Sequence, residues 1–398
     1  MSKSSKLKKW LLIISLLGFN IVEQATSATS STVPEMAKSF PKIPMVQIQM
    51  VTTIGAVFTM IFVFISGLVS TRVGQKKIAI LGLAVSAVSS VIPAFSNNFQ
   101  MILASRAVMG IGIGLANPLA ISMIGEFFHG DTLNTLMGWR SSIASLGSSL
   151  MTLLAGFLMA NSWHAAYWVY LMFIPILIMM IIFVPDPQKQ IENSDDQNVQ
   201  TIEVKEVPKN ARLEVIGEAV VMFLVMASVM TFMLNLALMY VQKKIGTPTQ
   251  ASTMISFWSI CQLIGGILFG KLYKKLGKNT LPLGLLVFGL TLALVGFANN
   301  QIVIGALMLI NGTLGGLVIP YVYTRIAELS NVKTAPFNNA IALIGSNLSA
   351  FLSPYIGKIL GGASAAMALR NAGLLSIAVA AVVLAIDFAY KKNHQFAL

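Results

Sequence analysis

Long apolar stretches separated by short polar turns recur from one end of the chain to the other. Twelve such runs can be marked, at 10–33, 45–69, 78–96, 100–124, 138–160, 166–184, 214–238, 250–270, 279–297, 302–323, 336–360 and 367–389. Each is close to the roughly 20 residues that a helix needs to cross a hydrocarbon core. Inside lipid a helix satisfies its own backbone hydrogen bonds, so the pattern predicts an all-α membrane protein of twelve transmembrane helices. Most connections are short, which makes consecutive helices antiparallel neighbours. One connection differs. Pro185-Asp-Pro187 closes the sixth run, and a polar stretch with Glu192, Asp195, Asp196, Glu203 and Glu206 follows. These acids are dispersed and lack ligand spacing, so the stretch is read as a solvated linker. The expected organisation is a six-helix half at 1–184, a cytoplasmic linker at 185–213 and a second six-helix half at 214–398.

A repeat supports the division. Gly67-Leu-Val-Ser-Thr-Arg72-Val-Gly74-Gln-Lys76-Lys77 lies between the second and third runs, and Gly270-Lys-Leu-Tyr-Lys-Lys-Leu-Gly-Lys278 lies 203 positions later between the eighth and ninth. Two copies half a chain apart imply a duplicated unit. Composition agrees: with 56% hydrophobic and 10% charged residues in 398, the chain is too apolar for an ordinary soluble protein. The net charge of +13 suggests a nucleic-acid partner until it is mapped. With a cytoplasmic N-terminus, twenty of the 27 Lys and Arg fall on cytoplasmic segments. Lys38, Lys42, Lys243 and Lys244 lie in outer loops, and Lys358 and Arg370 lie near outer helix ends. This is the positive-inside bias of a multi-pass protein of the cell membrane, with both termini cytoplasmic. The bilayer is the expected partner and nucleic acid is not.

Other classes are excluded by what the chain carries. Cys261 is the single cysteine, so no disulfide forms within the chain. His129, His164 and His394 are too scattered to suggest a metal site. Lys8-Lys9, the apolar residues after them and Ala25-Thr-Ser-Ala28 resemble a secretory signal with its cleavage site. Cleavage there would leave the first helix of the second half without a counterpart, so residues 10–33 are retained as a helix. No Walker A pattern is present, nor a nucleophile–base constellation; neither a cofactor nor an enzymatic activity is expected.

Small residues stand in rows on the fourth and fifth runs: Gly110, Gly112 and Gly114, then Ser141, Ser142, Ser145, Gly147, Ser148 and Ser149. No strand precedes the glycines and no Lys-Ser/Thr follows them, so they are read as close helix packing rather than a phosphate loop. Taken together, several segments resemble the major facilitator superfamily over the full chain. The 67–77 turn is similar to its G-x-L-x-D-R-x-G-R-K signature, and Arg106-Ala-Val-Met-Gly110-Ile-Gly112 to its R-x-x-Q-G-x-G motif. The copy at 270–278 falls where that family's second half carries one, and Phe351-Leu-Ser-Pro354 also resembles common members. Thr71 replaces the signature's Asp, Lys274 occupies the corresponding place in the second copy, and Met109 replaces the Gln. A neutral Thr can cap a helix end but adds no full charge to its dipole, so the resemblance implies a weaker cytoplasmic latch. Gly147 is followed by Ser148 rather than by the Pro of many proton-coupled antiporters.

Charges placed inside a bilayer are costly and point to function. Glu23 in the first run and Arg106 in the fourth are the two that stand out. The resemblance implies a central cavity lined by helices 1, 4, 7 and 10, which would let both face it. Asn20, Glu23, Gln24, Ser27 and Ser31 fall on one side of a continuous first helix. Burial favours a protonated Glu23 and a nearby Arg106 favours the ionised form, so a substrate competing for either charge would shift the balance. A fixed structural pair between the two helices is the alternative. Further cavity candidates are Met222, Met226, Asn311 and Asn347, with Met230, Met233, Asn338 and Asn339 in the same patterns; helix packing explains any of them equally well. Glu218 and Asp387 lie near cytoplasmic helix ends and are read as water-reaching. By family analogy, Gly67, Arg72, Gly74, Glu126 and Arg140 form a cytoplasmic gate. Trp139, Trp163 and Trp168 near helix ends are read as interfacial anchors.

These observations lead to a secondary transporter working by alternating access, a monomer whose partners are a small organic solute, protons and lipid. Proton-coupled export of amphipathic compounds is the first expectation. The alternative is organic-anion transport by symport or exchange, with Arg106 as counter-charge. A carrier-like sensor has no extramembrane segment large enough for signalling.

Overall fold

The computed structural model describes residues 3–23, 25–128, 130–186, 211–330 and 335–395. Gln24, His129, Asn331–Thr334 and most of the expected linker therefore lie outside the described residues. All regular structure among the described residues is helical. The chain forms two compact units, the first ending at Ile202 and the second beginning at Glu203.

In the first unit the helices are α1 (Lys3–Gly18), α2 (Asn20–Glu23), α3 (Val33–Ser39), α4 (Met45–Val73), α5 (Gln75–Val91), α6 (Phe99–Phe127), α7 (Gly130–Met159) and α8 (Phe173–Phe183). The second holds α9 (Ala211–Gln242), α10 (Pro248–Leu276), α11 (Thr280–Phe297), α12 (Gln301–Ile310), α13 (Val318–Glu328), α14 (Ala335–Gly361) and α15 (Ala365–Gln395). Among the described residues nine segments are long and apolar enough to cross a membrane, and one of them, Pro248–Phe297, has the 50 residues of two crossings joined at the Gly277 turn.

The expected first helix, 10–33, is not continuous. It breaks after Gly18, and beyond Glu23 the chain runs through 3₁₀ turns at Ala25–Ser27 and Ser30–Thr32 before α3 starts. Thr26, Ser27, Thr29, Ser30, Ser31 and Thr32 supply hydroxyls that compete for backbone partners; Thr32 Oγ1, for instance, donates to the Thr29 carbonyl at 2.7 Å. The one-sided stripe expected from Asn20 to Ser31 therefore holds only as far as Glu23. The tenth run is also interrupted, by a π-helical turn at Asn311–Gly315 between α12 and α13. The sixth run begins as a 3₁₀ segment, Ala165–Met172, and becomes α-helical just before Pro175, which has no amide hydrogen to donate.

Glycines set how closely these rods approach. A Cβ on Gly110 of α6 would meet the Gly55 carbonyl of α4 at 2.3 Å, and one on Gly112 would meet the Gly82 carbonyl of α5 at 2.4 Å. In the second unit a Cβ on Gly312 would lie 2.5 Å from Cys261 Cβ of α10, and one on Gly315 2.9 Å from Phe288 Cβ of α11. Gly112 and Gly315 are themselves 203 positions apart, the offset of the two basic turns. Gly74, at φ 102°, and Gly277, at φ 54°, turn the chain at equivalent places. At those angles a side chain would be strained.

Gly67 contrasts with these, because a Cβ there meets nothing within 4 Å. Gly110→Ala should cost about 1–3 kcal/mol through overpacking, whereas Gly67→Ala should be neutral or stabilising by about 0.5–1 kcal/mol through helix propensity. Thermal unfolding of the two variants in detergent measures the difference.

Candidate functional site

Arg106 lies in α6, whose start is capped by Asn98 Oδ1 accepting from the Gln100 and Met101 amides at 2.9 and 3.3 Å. The residue is 2% exposed. Its Nη2 donates to Tyr170 Oη at 2.8 Å and to the Thr26 carbonyl at 3.3 Å, and its Nε donates to the Val51 carbonyl at 3.4 Å. The guanidinium carbon lies 4.8 Å from the Tyr170 ring centre and 5.5 Å from that of Tyr167. Thr29 Oγ1 sits 3.2 Å from Tyr170 Oη. One side chain thus ties the broken first rod, α4 and the 165–172 segment together. Nη1 is buried without a hydrogen-bond partner among the described residues. The partners described for this charge are neutral groups: a hydrogen bond to a charged donor is worth about 1.5–3 kcal/mol, and a desolvated cation–π contact about 2 kcal/mol.

The expected partnership of Arg106 with Glu23 is not among the described contacts. Glu23 closes α2, and its side chain lies outside the described residues. The guanidinium that reaches the same short helix is Arg140 of α7, whose Nε donates to Asn20 Oδ1 at 2.6 Å. Asn20 is fully buried and its amide also donates to the Leu16 and Leu17 carbonyls. Ser27 is buried in the 3₁₀ turn that follows. His164, in the turn before Ala165, is held below the ordinary histidine value mainly by burial, against an opposing hydrogen bond that it donates to the Ser96 backbone. Its imidazole stacks on Trp163 with centroids 3.6 Å apart.

The other candidates separate. Asn311 is 2% exposed and tied to neighbouring helices: Oδ1 accepts from Trp258 Nε1 at 2.7 Å, while Nδ2 donates to the Phe288 carbonyl at 3.0 Å and to Thr291 Oγ1 at 2.7 Å. These bonds hold the π-helical turn against α10 and α11. Asn347 donates to the Leu343 carbonyl of its own helix. Met222 is buried in its unit and Met226 half-buried. At the basic turn of the first unit, Gln75 Nε2 donates to Glu126 Oε1, Lys76 Nζ donates to the Ile181 carbonyl at 3.0 Å, and Arg72 is exposed. Arg140, grouped with Arg72 and Glu126 by analogy, bonds Asn20 instead. Gly74 is buried at the turn itself.

The second unit repeats this arrangement with residues that motif reading passed over. Tyr273 Oη donates to Glu328 Oε1 at 2.7 Å, and Arg325 bonds Glu328 at 3.1 Å and Glu214 at 2.6 Å. Glu328 lies 202 positions after Glu126, so each unit ties its basic turn to a glutamate at the end of a neighbouring rod. The Arg325–Glu328 spacing of three was the available signal.

The Major Facilitator Superfamily profile matches residues 12–217 and 219–395. The chain belongs to that superfamily. It is thus a multi-pass membrane protein of a transporter family, not an enzyme. The Escherichia coli 3-(3-hydroxy-phenyl)propionate transporter is 23% identical over 80% of both chains. The Bacillus subtilis bacillibactin exporter is 31% identical over 30% of this chain and 31% of its own length, and the multidrug transporter protein MdtP of the same species is 26% identical over 46% and 34%. The chain thus spans only about a third of each of these two relatives. Among solved structures, a peptide transporter POT in complex with sulfate superposes with a TM-score of 0.74 at 14% identity, covering 94% of each chain. A POT family transporter in complex with 5-aminolevulinic acid gives 0.75 at 10% identity over 95% and 96%. These structural likenesses establish the shared superfamily fold.

The Arg106 contacts generate a test. Tyr170→Phe keeps the ring and removes the hydroxyl, and should cost about 1.5–3 kcal/mol. Tyr170→Leu also removes the ring face and should cost about 1–2 kcal/mol more. Unfolding in detergent compares them; an unchanged Tyr170→Phe would mean that the carbonyls alone hold Arg106.

Proposed function

We propose that this superfamily member exports small amphipathic organic compounds from the cell in exchange for protons, with Glu23 as the protonatable group. The observation that carries the reading is the Arg140–Asn20 hydrogen bond at 2.6 Å. Asn20 and Glu23 are three residues apart in α2, positions that share a helix face. A guanidinium one turn away favours an ionised Glu23, while burial favours the protonated form. A substrate that disturbs Arg140 would release that balance, and a proton would move with it. Arg106 then serves to hold the broken rod rather than to meet the solute, since three of its N–H groups already have partners within the unit. The names of the bacillibactin exporter and the multidrug transporter are in keeping with export. The basic turns at 67–77 and 270–278 face the cytoplasm in this reading, as do both termini, because Lys and Arg concentrate on that side.

A second reading, transport of organic acids, is favoured by two observations. Arg106 keeps a buried Nη1 without a partner among the described residues, and the relative matched over 80% of both chains is named for a phenylpropionate. Purified protein in liposomes loaded with a pH-sensitive dye separates the two. Under an imposed proton gradient, a cationic amphiphile should drive opposite proton movement that Glu23→Gln abolishes. Unchanged coupling in Glu23→Gln removes the carboxylate from the mechanism. Proton entry together with phenylpropionate, lost in Arg106→Gln, would replace export by anion symport.

A further inference from the structure

Four cations stand at one end of the second unit, the end that holds the α9–α10 turn, the α11–α12 turn and the start of α15. They are Lys243, Lys244, Lys358 and Arg370. The segments meet there through bonds from Gln242 Nε2 to the Ala363 carbonyl, from the Ala365 amide to Gln242 Oε1, and from Gln301 Nε2 to the Ile245 carbonyl. No aspartate or glutamate occurs between Ala219 and Ala327, or between Leu329 and Ile386. Glu214 and Glu328 lie at its opposite end, where Arg325 bonds both. In the first unit, by contrast, Lys38 has its own acid, Glu35, at 2.8 Å.

Two of the four cations converge. Lys243 Nζ donates to the Gly296 and Ala298 carbonyls at 2.8 and 2.9 Å, closing the C-terminal end of α11. An ammonium has three donors, so one is left over. The guanidinium of Arg370 lies 4.8 Å from the Phe297 ring centre, and its stem covers Gly296, where an added Cβ would meet Arg370 Cγ at 2.4 Å. Its Nε is buried and has no hydrogen-bond partner among the described residues. Burial and the Arg370 charge hold the Lys243 amine below the ordinary lysine value. Two like charges that share Gly296 as a neighbour, with spare donors and no acid among the described residues around them, form an arrangement that an anion would relieve.

We propose that Arg370 and Lys243 form a binding site for a phosphate oxyanion at this end of the second unit. A guanidinium fork suits phosphate geometry, and an adjacent ammonium adds a point charge. Large apolar side chains are exposed at the same end: Phe297 beside the guanidinium at 62%, and Ile302 at 81%. They suit a phosphate that carries acyl chains, as a phospholipid headgroup does. Free phosphate has the same oxyanion chemistry without the chains.

Full-length protein in uncharged detergent can be titrated with phosphatidylglycerol, inorganic phosphate or diacylglycerol, with the melting temperature as readout. Phosphatidylglycerol should stabilise the wild type, and Arg370→Gln should raise the concentration required about tenfold, the loss expected for one charge-assisted contact. Stabilisation by phosphatidylglycerol alone identifies a headgroup site; stabilisation by inorganic phosphate as well identifies a site for the free ion too. Lys243→Gln should weaken binding likewise. Should that variant fail to fold, Arg370→Gln decides, because no hydrogen bond of Arg370 is lost with it. An unaltered response in Arg370→Gln overturns the proposal. So do an equal response to diacylglycerol, no response to either phosphate source, or an equal loss in Lys358→Gln, which would mean diffuse charge.

Discussion

A single buried guanidinium organises the first unit. A helix that crosses lipid normally satisfies its own backbone, and a break exposes carbonyls to a medium without water. The first rod breaks repeatedly between Gly18 and Val33. Arg106 answers part of that demand: it bonds the Thr26 carbonyl, takes the Val51 carbonyl from the adjacent helix, and rests on Tyr167 and Tyr170. The charge is in turn tolerable only because those rings and carbonyls replace its water. The break and the arginine therefore depend on each other.

The second unit meets the same problem with neutral chemistry. Its tenth rod loses regularity at Asn311–Gly315, and a carboxamide fills the role of the guanidinium, bonding Trp258, Thr291 and the Phe288 carbonyl. Glycines at the same repeat offset let the neighbouring helices approach, Gly112 against α5 and Gly315 against α11. The duplicated backbone plan has thus been kept while the polar groups diverged. The first unit adds a second guanidinium contact to its broken rod, from Arg140 Nε to Asn20 Oδ1.

The charges sort by end. In the second unit Arg325 has two acids, Glu214 and Glu328, at one end, whereas Lys243 and Arg370 have no acid among the described residues at the other. In the first unit the basic turn is tied down by Gln75 on Glu126 and by Lys76 on the Ile181 carbonyl, not by an aspartate, since Thr71 stands where the family signature has one. Neutral and carbonyl partners give shorter-ranged hold than a full ion pair would.

Hydrophobic run length and the Lys/Arg bias determined the membrane class and the helical architecture, because lipid imposes those constraints on each segment locally, while the motifs at 67–77 and 106–112 carried the resemblance to the family. Arg106 was also legible as a special residue, since a lone intramembrane charge is costly whatever surrounds it. Its partners were not. Tyr170 is 64 residues away and Thr26 is 80, and Asn20 and Arg140 are separated by 120. Nothing in the local pattern distinguishes a tyrosine that faces a guanidinium from one that faces lipid. Nor does apolarity show where a helix breaks: the first run looked continuous because hydroxyl residues are tolerated in membrane helices until they turn to their own backbone. Side-chain pairing and helix breaks were decided only in the folded unit, where distance across the bundle replaces distance along the chain.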